Sequence, residues 1–476
     1  MSTNVNAAHI LGRITVKGRL QLASPLLIGE GTSGEERGDK DIHILRSKDG
    51  IPFIPATSLA GALRSFVEAD EPRAAQILFG SMNERRPDAQ ESEGERQSSV
   101  SLYDVELPNA VMGMRDGVHI DPVLGTAVAH GKYDYEIVES GAGGIFYAEI
   151  ILRAVHEKDA DILKKALTHL RDLLRGGFHV GALTTKGFGR MYLRDMEIDC
   201  YDFRDAKNVI AWLAPERSHA VLHRTYGSDA RPVPPPAAGD LIITADFALT
   251  GSLIVRDYES ANRETDEGKN PDALMKTNAA GQPILPGTSI KGVLRNRAAH
   301  ILHALGTTQE RIEDLIEELM GASPEQMQER AQTEKKRSRF IVEETLLNAS
   351  PHAQTRIRCD RFTGGTISTA LFSTQPVWQK KGEKAVTLTF GVKRMGTCSV
   401  QDWEAGLCIL LLKELWLGRI AIGGEKSIGR GTLEGLHAVI HDRGTQYELT
   451  QGQPFDEKIM QTLQQYVTAL SEEATR

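Results

Sequence analysis

The chain has 476 residues, 40% hydrophobic and 25% charged, which suits a soluble globular protein of two or three domains. Its net charge of −8 excludes a global basic signature for nucleic acid, so any RNA or DNA surface must be a local patch. The scattered Cys200, Cys359, Cys398 and Cys408 form no C-x-x-C pair, the first residues lack a signal-peptide core, and no run reaches membrane-spanning length; neither zinc, disulfides nor a membrane is expected, and the cytoplasm is.

The first predicted element is an alternating strand from Ile14 to Leu22. A polar, glycine-bearing loop covers 29–40, followed by 41–46 and a helix from the Thr57-Ser58 pair to about Glu68. Residues 82–98 hold almost nothing apolar and read as a disordered loop. A strand at 101–105 precedes a long excursion, 115–140, punctuated by Asp-Gly and Asp-Pro turns. A strand at 145–152, a helix at 160–175, a glycine-rich loop at 176–190 and a strand at 191–193 complete the unit.

The linker at 227–240, rich in proline and small residues, separates this unit from a second one with the same order of elements. Residues 241–255 read as one strand or a strand pair, 289–304 as the capped helix and 324–338 as a polar loop. The second excursion covers 355–375. A strand at 386–390, a helix at 402–416, a glycine loop at 423–431, a strand from Thr432 and a final helix at about 456–470 follow. Each unit reads β-α-β-β-α-β with insertions. The expected class is α+β, with two tandem ferredoxin-like or RNA-recognition-type domains, 1–226 and 241–476.

The duplication is sharpest in two places. Pro55, Thr57, Ser58, Gly61, Leu63 and Arg64 recur as Pro286, Thr288, Ser289, Gly292, Leu294 and Arg295, all 231 residues on (286 − 55). A helix N-terminus with free N–H groups and a nearby arginine suits a phosphate. A plain capped helix with a solvated arginine explains one copy equally well; two copies at one offset favour binding. Gly181, Gly187 and Gly189 likewise match Gly423, Gly429 and Gly431, 242 residues on (423 − 181). Lys186, Arg190, Lys426 and Arg430 add charge to these loops. The spacing fits neither G-x-G-x-x-G nor a Walker A ending, and a tight helix-to-strand connection is the rival explanation.

With these duplicated helices and loops, and with the stretch 357–365 followed by Ala370-Leu371-Phe372, the chain resembles the RAMP superfamily of CRISPR-associated proteins. More narrowly, it is similar to two fused backbone subunits of a type III CRISPR effector complex. The resemblance implies RAMP domains whose excursions are thumb hairpins. It also implies guide (CRISPR) RNA, target single-stranded RNA and other effector subunits as partners. The RNA-binding residues would be Ser58, Arg64, Lys186, Arg190, Ser289, Lys291, Arg295, Lys426 and Arg430. Lys291 has only Ala60 as its partner in the first unit, so the first should grip phosphate less strongly there.

The family's cutting residue is an aspartate ahead of the capped helix. Asp41 and Asp272 each precede the helix proline by 14 residues (55 − 41 and 286 − 272). Asp39 and Asp266 are rivals, and His43 a candidate base without a counterpart in the second unit. The implied activity is metal-dependent RNA phosphodiester cleavage by the substrate's own 2′-hydroxyl, one cut per domain. The aspartates could act as acid or base, or share a weakly held divalent ion, Mg²⁺ by preference. A non-catalytic guide-RNA scaffold fits everything except the two aspartates. A small-molecule enzyme without RNA is a third class.

Overall fold

Period-two burial is plainest in the central strand of the second unit. In Leu241–Thr250 the residues Leu241, Ile243, Ala245, Phe247 and Leu249 point into the core, and the intervening side chains do not. Each large buried side chain contributes roughly 1.5–3 kcal/mol relative to exposure. The computed structural model describes residues 9–30, 42–80, 97–121, 126–214, 222–227, 237–257, 264–265, 268–269, 271–322, 336–380, 382–396, 398–454 and 456–476.

In the first unit the main elements are β1 (Ile10–Leu22), α1 (Ala56–Asp70), α2 (Pro72–Phe79), β2 (Val100–Leu102), β3 (Met112–Ile120), β4 (Ala127–Val138), β5 (Gly143–Arg153), α3 (Ala160–Gly176), β6 (Arg190–Asp202), α4 (Ala206–Leu213) and β7 (Leu222–Tyr226). In the second they are β8 (Leu241–Thr250), β9 (Ala273–Met275), α5 (Gly287–Ala304), α6 (Gln309–Met320), β10 (Phe340–Val342), β11 (Gln354–Cys359), β12 (Thr366–Gln375), β13 (Val386–Val392), α7 (Asp402–Trp416), β14 (Thr432–Asp442), β15 (Thr445–Thr450) and α8 (Glu457–Ala474).

The two main sheets share one strand order. The first runs β7-β6-β1-β5-β2 and the second β15-β14-β8-β13-β10, with antiparallel neighbours throughout. Two separate apolar clusters fill them, one within Val16–Met196 and one within Leu241–Ala474. The fold is therefore a mixed α/β arrangement of antiparallel sheets with helices, written twice. Residues 82–96 of the polar loop, 228–236 of the linker and 324–335 of the second polar loop lie outside the described residues.

Three sequence expectations need correction. The Thr-Ser pairs do not cap their helices. Pro55 and Pro286 occupy the cap positions in extended geometry (ψ 140° and 137°), and neither residue at the cap supplies a side-chain cap. Each proline carbonyl accepts from the serine N–H and the next one, Ser58 and Leu59 in α1, Ser289 and Ile290 in α5. Proline's fixed φ suits the turn into a helix, which moves Thr and Ser into the first turn. Second, α2, α4 and α6 were not anticipated. The side chain of Thr308 caps α6, and Ile312, Leu315, Ile316 and Leu319 repeat at helical spacing, a signal the sequence did carry. Third, the first excursion is not wholly an outward hairpin. Tyr135, Ile137 and Val138 at the end of β4 are buried in the first core.

Candidate nucleic-acid interface

The strand β9 pairs in parallel with the return strand β12 of the second excursion, Ala273 opposite Thr374. The residue just before it, Asp272, is exposed, and its Oδ2 accepts from the Ser373 N–H at 2.8 Å. In the first unit Ile42 makes the matching parallel bridge to Tyr135 on β4, and its carbonyl accepts from Glu136 N–H at 3.0 Å. Farther along, Arg46 bridges Pro52 as Thr277 bridges Pro283, at the same offset of 231 (277 − 46). Asp272 therefore stands beside the base of a hairpin, and Ile42 makes the bridge in the first unit that Ala273 makes in the second. Asp41 itself, with Asp39 and Asp266, lies outside the described residues. His43 is half-buried, and its Nε2 has no hydrogen-bond partner among the described residues.

The hairpin β11–β12 is exposed over most of its length. At its tip Phe362 is 90% exposed, and the Asp360 carboxylate holds the turn by accepting from the N–H groups of Phe362 and Thr363. These bonds keep the Asp360 carboxyl below its usual pKa. In the first excursion, residues 122–125, with Val123 and Leu124, lie outside the described residues.

The predicted cations separate into three groups. Arg64 and Arg295 play the same structural part. Each donates from Nη1, at 2.8 Å, to the carbonyl of the glycine ending the next helix, Gly80 after α2 and Gly321 after α6. A guanidinium there offsets the negative end of the helix dipole. Arg190 and Arg430 are held by protein. Arg190 pairs with Glu343 at 3.0 Å. Arg430, 2% exposed, pairs with Glu425 at 3.0 Å and donates to Gln354 at 2.8 Å.

The third group, Lys186 and Lys291, lies where the units meet and has Arg295 beside it. Lys291 is buried, and its Nζ donates to Thr185 Oγ1 (3.0 Å), Ser338 Oγ (2.7 Å) and the Phe340 carbonyl (2.8 Å). Burial, then the charges of Lys186 and Arg295, lowers its pKa to about 7. Burial and Arg295 also lower that of Lys186. Three cations from two units thus repel one another in a half-buried seam. Ser289, two residues before Lys291, is half-buried, and Ser58 is half-buried in the matching place on α1. Lys426 is exposed on the second glycine loop.

The seam is built by the first glycine loop. Leu183 and Gly187 are left-handed (φ 57° and 90°), which turns the loop toward α5. A methyl group on Gly187 would overlap the backbone N of Glu344, and one on Gly287 would overlap the Lys186 carbonyl. Around this contact Arg115 on β3 lies 3.5 Å from Glu344, Lys276 lies 3.4 Å from Asp116, and Arg394 pairs with Asp70. Sequence reasoning missed Glu343, Glu344 and Arg115. The differences Ala60 to Lys291 and Ala56 to Gly287 were the available signal, since both second-unit residues serve the seam.

Among the described residues no helix is long and apolar enough to cross a membrane, and no three His, Cys, Asp or Glu side chains gather as a metal cluster. Over 215 residues the chain is 22% identical to the "CRISPR system Cms endoribonuclease Csm3" of Methanocaldococcus jannaschii; the stretch is 40% of this chain and 82% of that protein. The family model for the RAMP superfamily matches residues 19–192 and again 248–434, well over half the chain. The chain therefore belongs to the RAMP superfamily and carries its pattern twice.

Proposed function

We propose that the chain is a backbone subunit of a type III CRISPR effector complex, working in the cytoplasm, that binds guide RNA and cleaves complementary target RNA once in each unit. On this reading, residues 1–226 and 241–476 are ferredoxin-like domains joined by 227–240, and the two excursions are thumbs. The observation that carries RNA binding is the seam trio Lys186, Lys291 and Arg295. Burial and mutual repulsion hold both lysines below their usual pKa. A phosphate placed there relieves the repulsion and restores the charge on Lys291. Lys426 adds an exposed cation on the second glycine loop.

Cleavage is assigned to Asp272 and Asp41. The substrate's 2′-hydroxyl attacks the adjacent phosphorus, and the 5′-oxygen leaves, so the protein's work is to splay the nucleotide and steady developing charge. The exposed Phe362, Ile357 and Leu371 of the second thumb supply apolar surface for the splaying. Asp272 has one oxygen engaged by Ser373 N–H, which leaves the other for a proton of the attacking hydroxyl or for the water shell of Mg²⁺. A lone carboxylate cannot cage that ion, which prefers about six oxygens, so it would be shared with the phosphate and held weakly.

The test is to incubate the assembled complex with end-labelled complementary RNA and Mg²⁺. Two cuts one unit's pitch apart are expected. Binding without cutting would leave a guide-RNA scaffold, and absence of bound nucleic acid in the purified complex would reject an RNA function altogether.

A further inference from the structure

In the second unit, α8 lies across α7 and closes one side of the core. Tyr466, Leu470 and Ala474 are buried there. Three places on the unit receive it. Gly406 on α7 lets the Tyr466 backbone approach so closely that a methyl group would overlap the Tyr466 carbonyl. Asp442 at the end of β14 accepts from the Tyr466 hydroxyl, and the Arg443 guanidinium sits 5.0 Å over the Tyr466 ring.

The corresponding place in the first unit has no counterpart of α8 among the described residues, and its receiving side chains differ, with Tyr201 meeting Trp212 of α4 at 5.1 Å between ring centroids. At the offset of 242, Gly406, Asp442 and Arg443 correspond to Lys164, Cys200 and Tyr201 (406 − 164, 442 − 200, 443 − 201). The strand registers agree: Ile14 pairs with Cys200 as Leu241 pairs with Asp442. All three first-unit residues line one cavity of about 530 Å³ between α3 and the sheet. Its floor is apolar, from Val16, Phe146, Ile150, Leu163 and Met196. Its mouth is cationic. Six Lys and Arg side chains line it against two acids, Glu157 and Asp202. Arg13, Arg171 and Arg204 pair with Glu149, Asp172 and Asp202. Arg153, Lys164 and Arg224 have no carboxylate partner among the described residues.

We propose that this cavity seats an amphipathic helix of another polypeptide, apolar on the buried side and acidic along its edge. The second unit supplies the precedent for the apolar side, and the three uncompensated cations supply the charge preference. Lys164 in place of Gly406 sets the occupant farther from α3 than α8 sits from α7, within reach of its acidic groups. Nucleic acid fits the rim but not the floor, because a phosphate backbone offers nothing to an apolar cavity.

The probe is a fluorescein-labelled synthetic peptide of residues 457–474 of this chain, which carries Ile459, Leu463 and Leu470 with Glu457, Glu472 and Glu473. Titrated with the full-length protein, its fluorescence anisotropy should rise to saturation. Leu167→Glu, at the cavity wall, should weaken it at least tenfold. The charge reversal of Arg153, Lys164 and Arg224 to Glu should do the same; these side chains line the mouth, so the variant keeps its floor and tests the proposal even if Leu167→Glu unfolds. An acid-free peptide with Glu457, Glu472 and Glu473 changed to Gln should bind more weakly. Non-saturating binding, indifference to the charge reversal, or displacement of the peptide by single-stranded RNA would overturn the proposal.

Discussion

The two glycine loops have almost the same backbone and opposite surroundings. Leu183 and Glu425 are both left-handed (φ 57° and 56°), as are Gly187 and Gly429 (φ 90° and 84°). A methyl group on Gly189 would overlap the Val180 carbonyl, just as one on Gly431 would overlap that of Ile422. Yet Gly187 closes against Glu344 of the other unit, whereas a methyl on Gly429 would meet nothing within 4 Å. The first loop is a joint, and the second is a surface with Lys426 and Ile428 exposed. The receiving sides differ accordingly. Gly287 and Lys291 accept a loop, while in the first unit Asp104 caps the N–H of Ala56 at 2.7 Å. Repetition of sequence reproduced the local geometry; the neighbour decided its use.

The sharpest way to break this pairing is at the aspartates. Asp272→Ala should remove one of two RNA products, lowering that cut by about 10²–10⁴-fold, with the other product spared. Asp41→Ala should do the converse. RNA binding should survive both, because a carboxylate attracts no polyanion. Loss of both products in one single variant would mean that the units do not act independently.

Next come the glycines. Gly187→Ala and Gly429→Ala both force a side chain into the left-handed region, at about 1–3 kcal/mol each. Only Gly187→Ala also drives a methyl into Glu344, adding roughly 1–3 kcal/mol. Urea denaturation should therefore rank Gly187→Ala as clearly the more damaging. Equal costs would remove the seam as the distinction between the loops.

Lys291 gives a pH test that Ala60 cannot. Its pKa is lowered to about 7 in the fold, below its ordinary value of 10.5. Between these values the unfolded chain binds the proton and the fold does not, so this residue's contribution to stability is lost as pH falls from about 10.5 to 7 and is flat below. Lys291→Met should flatten that part of the stability profile. RNA binding should take up a proton near pH 7–8 in the parent and not in the variant, measurable by calorimetry in buffers of different ionisation enthalpy.

The smallest effects belong to the two arginines. Arg64→Ala and Arg295→Ala each lose a bond to a helix-ending carbonyl, about 1 kcal/mol in stability. Arg295→Ala should also reduce the log–log salt slope of guide-RNA binding by roughly 0.7, one phosphate's share. Arg64→Ala should leave the slope unchanged if the seam is the phosphate site.

Much of the local structure was readable along the chain. Alternation located β1 and β8, helical spacing located α3 and α7, and the offsets of 231 and 242 announced the duplication before any contact was known. These signals survive because each element's own residues choose its period and its buried face. The equal spacing of Asp41 and Asp272 from their helix prolines was legible in the sequence, while their role rests on the proposal. The charge roles were not, since Arg64, Arg190 and Arg430 look the same in sequence whether they face a phosphate, a helix end or a glutamate.

Packing in three dimensions settled which protein groups each cation meets and which cations lie together. Lys186 comes from a distant part of the chain and meets Lys291 and Arg295, one turn apart on α5, because one glycine loop docks on one helix end. A pKa set by burial depends on what packs around the amine, and that is a property of the assembled seam, not of any stretch of sequence.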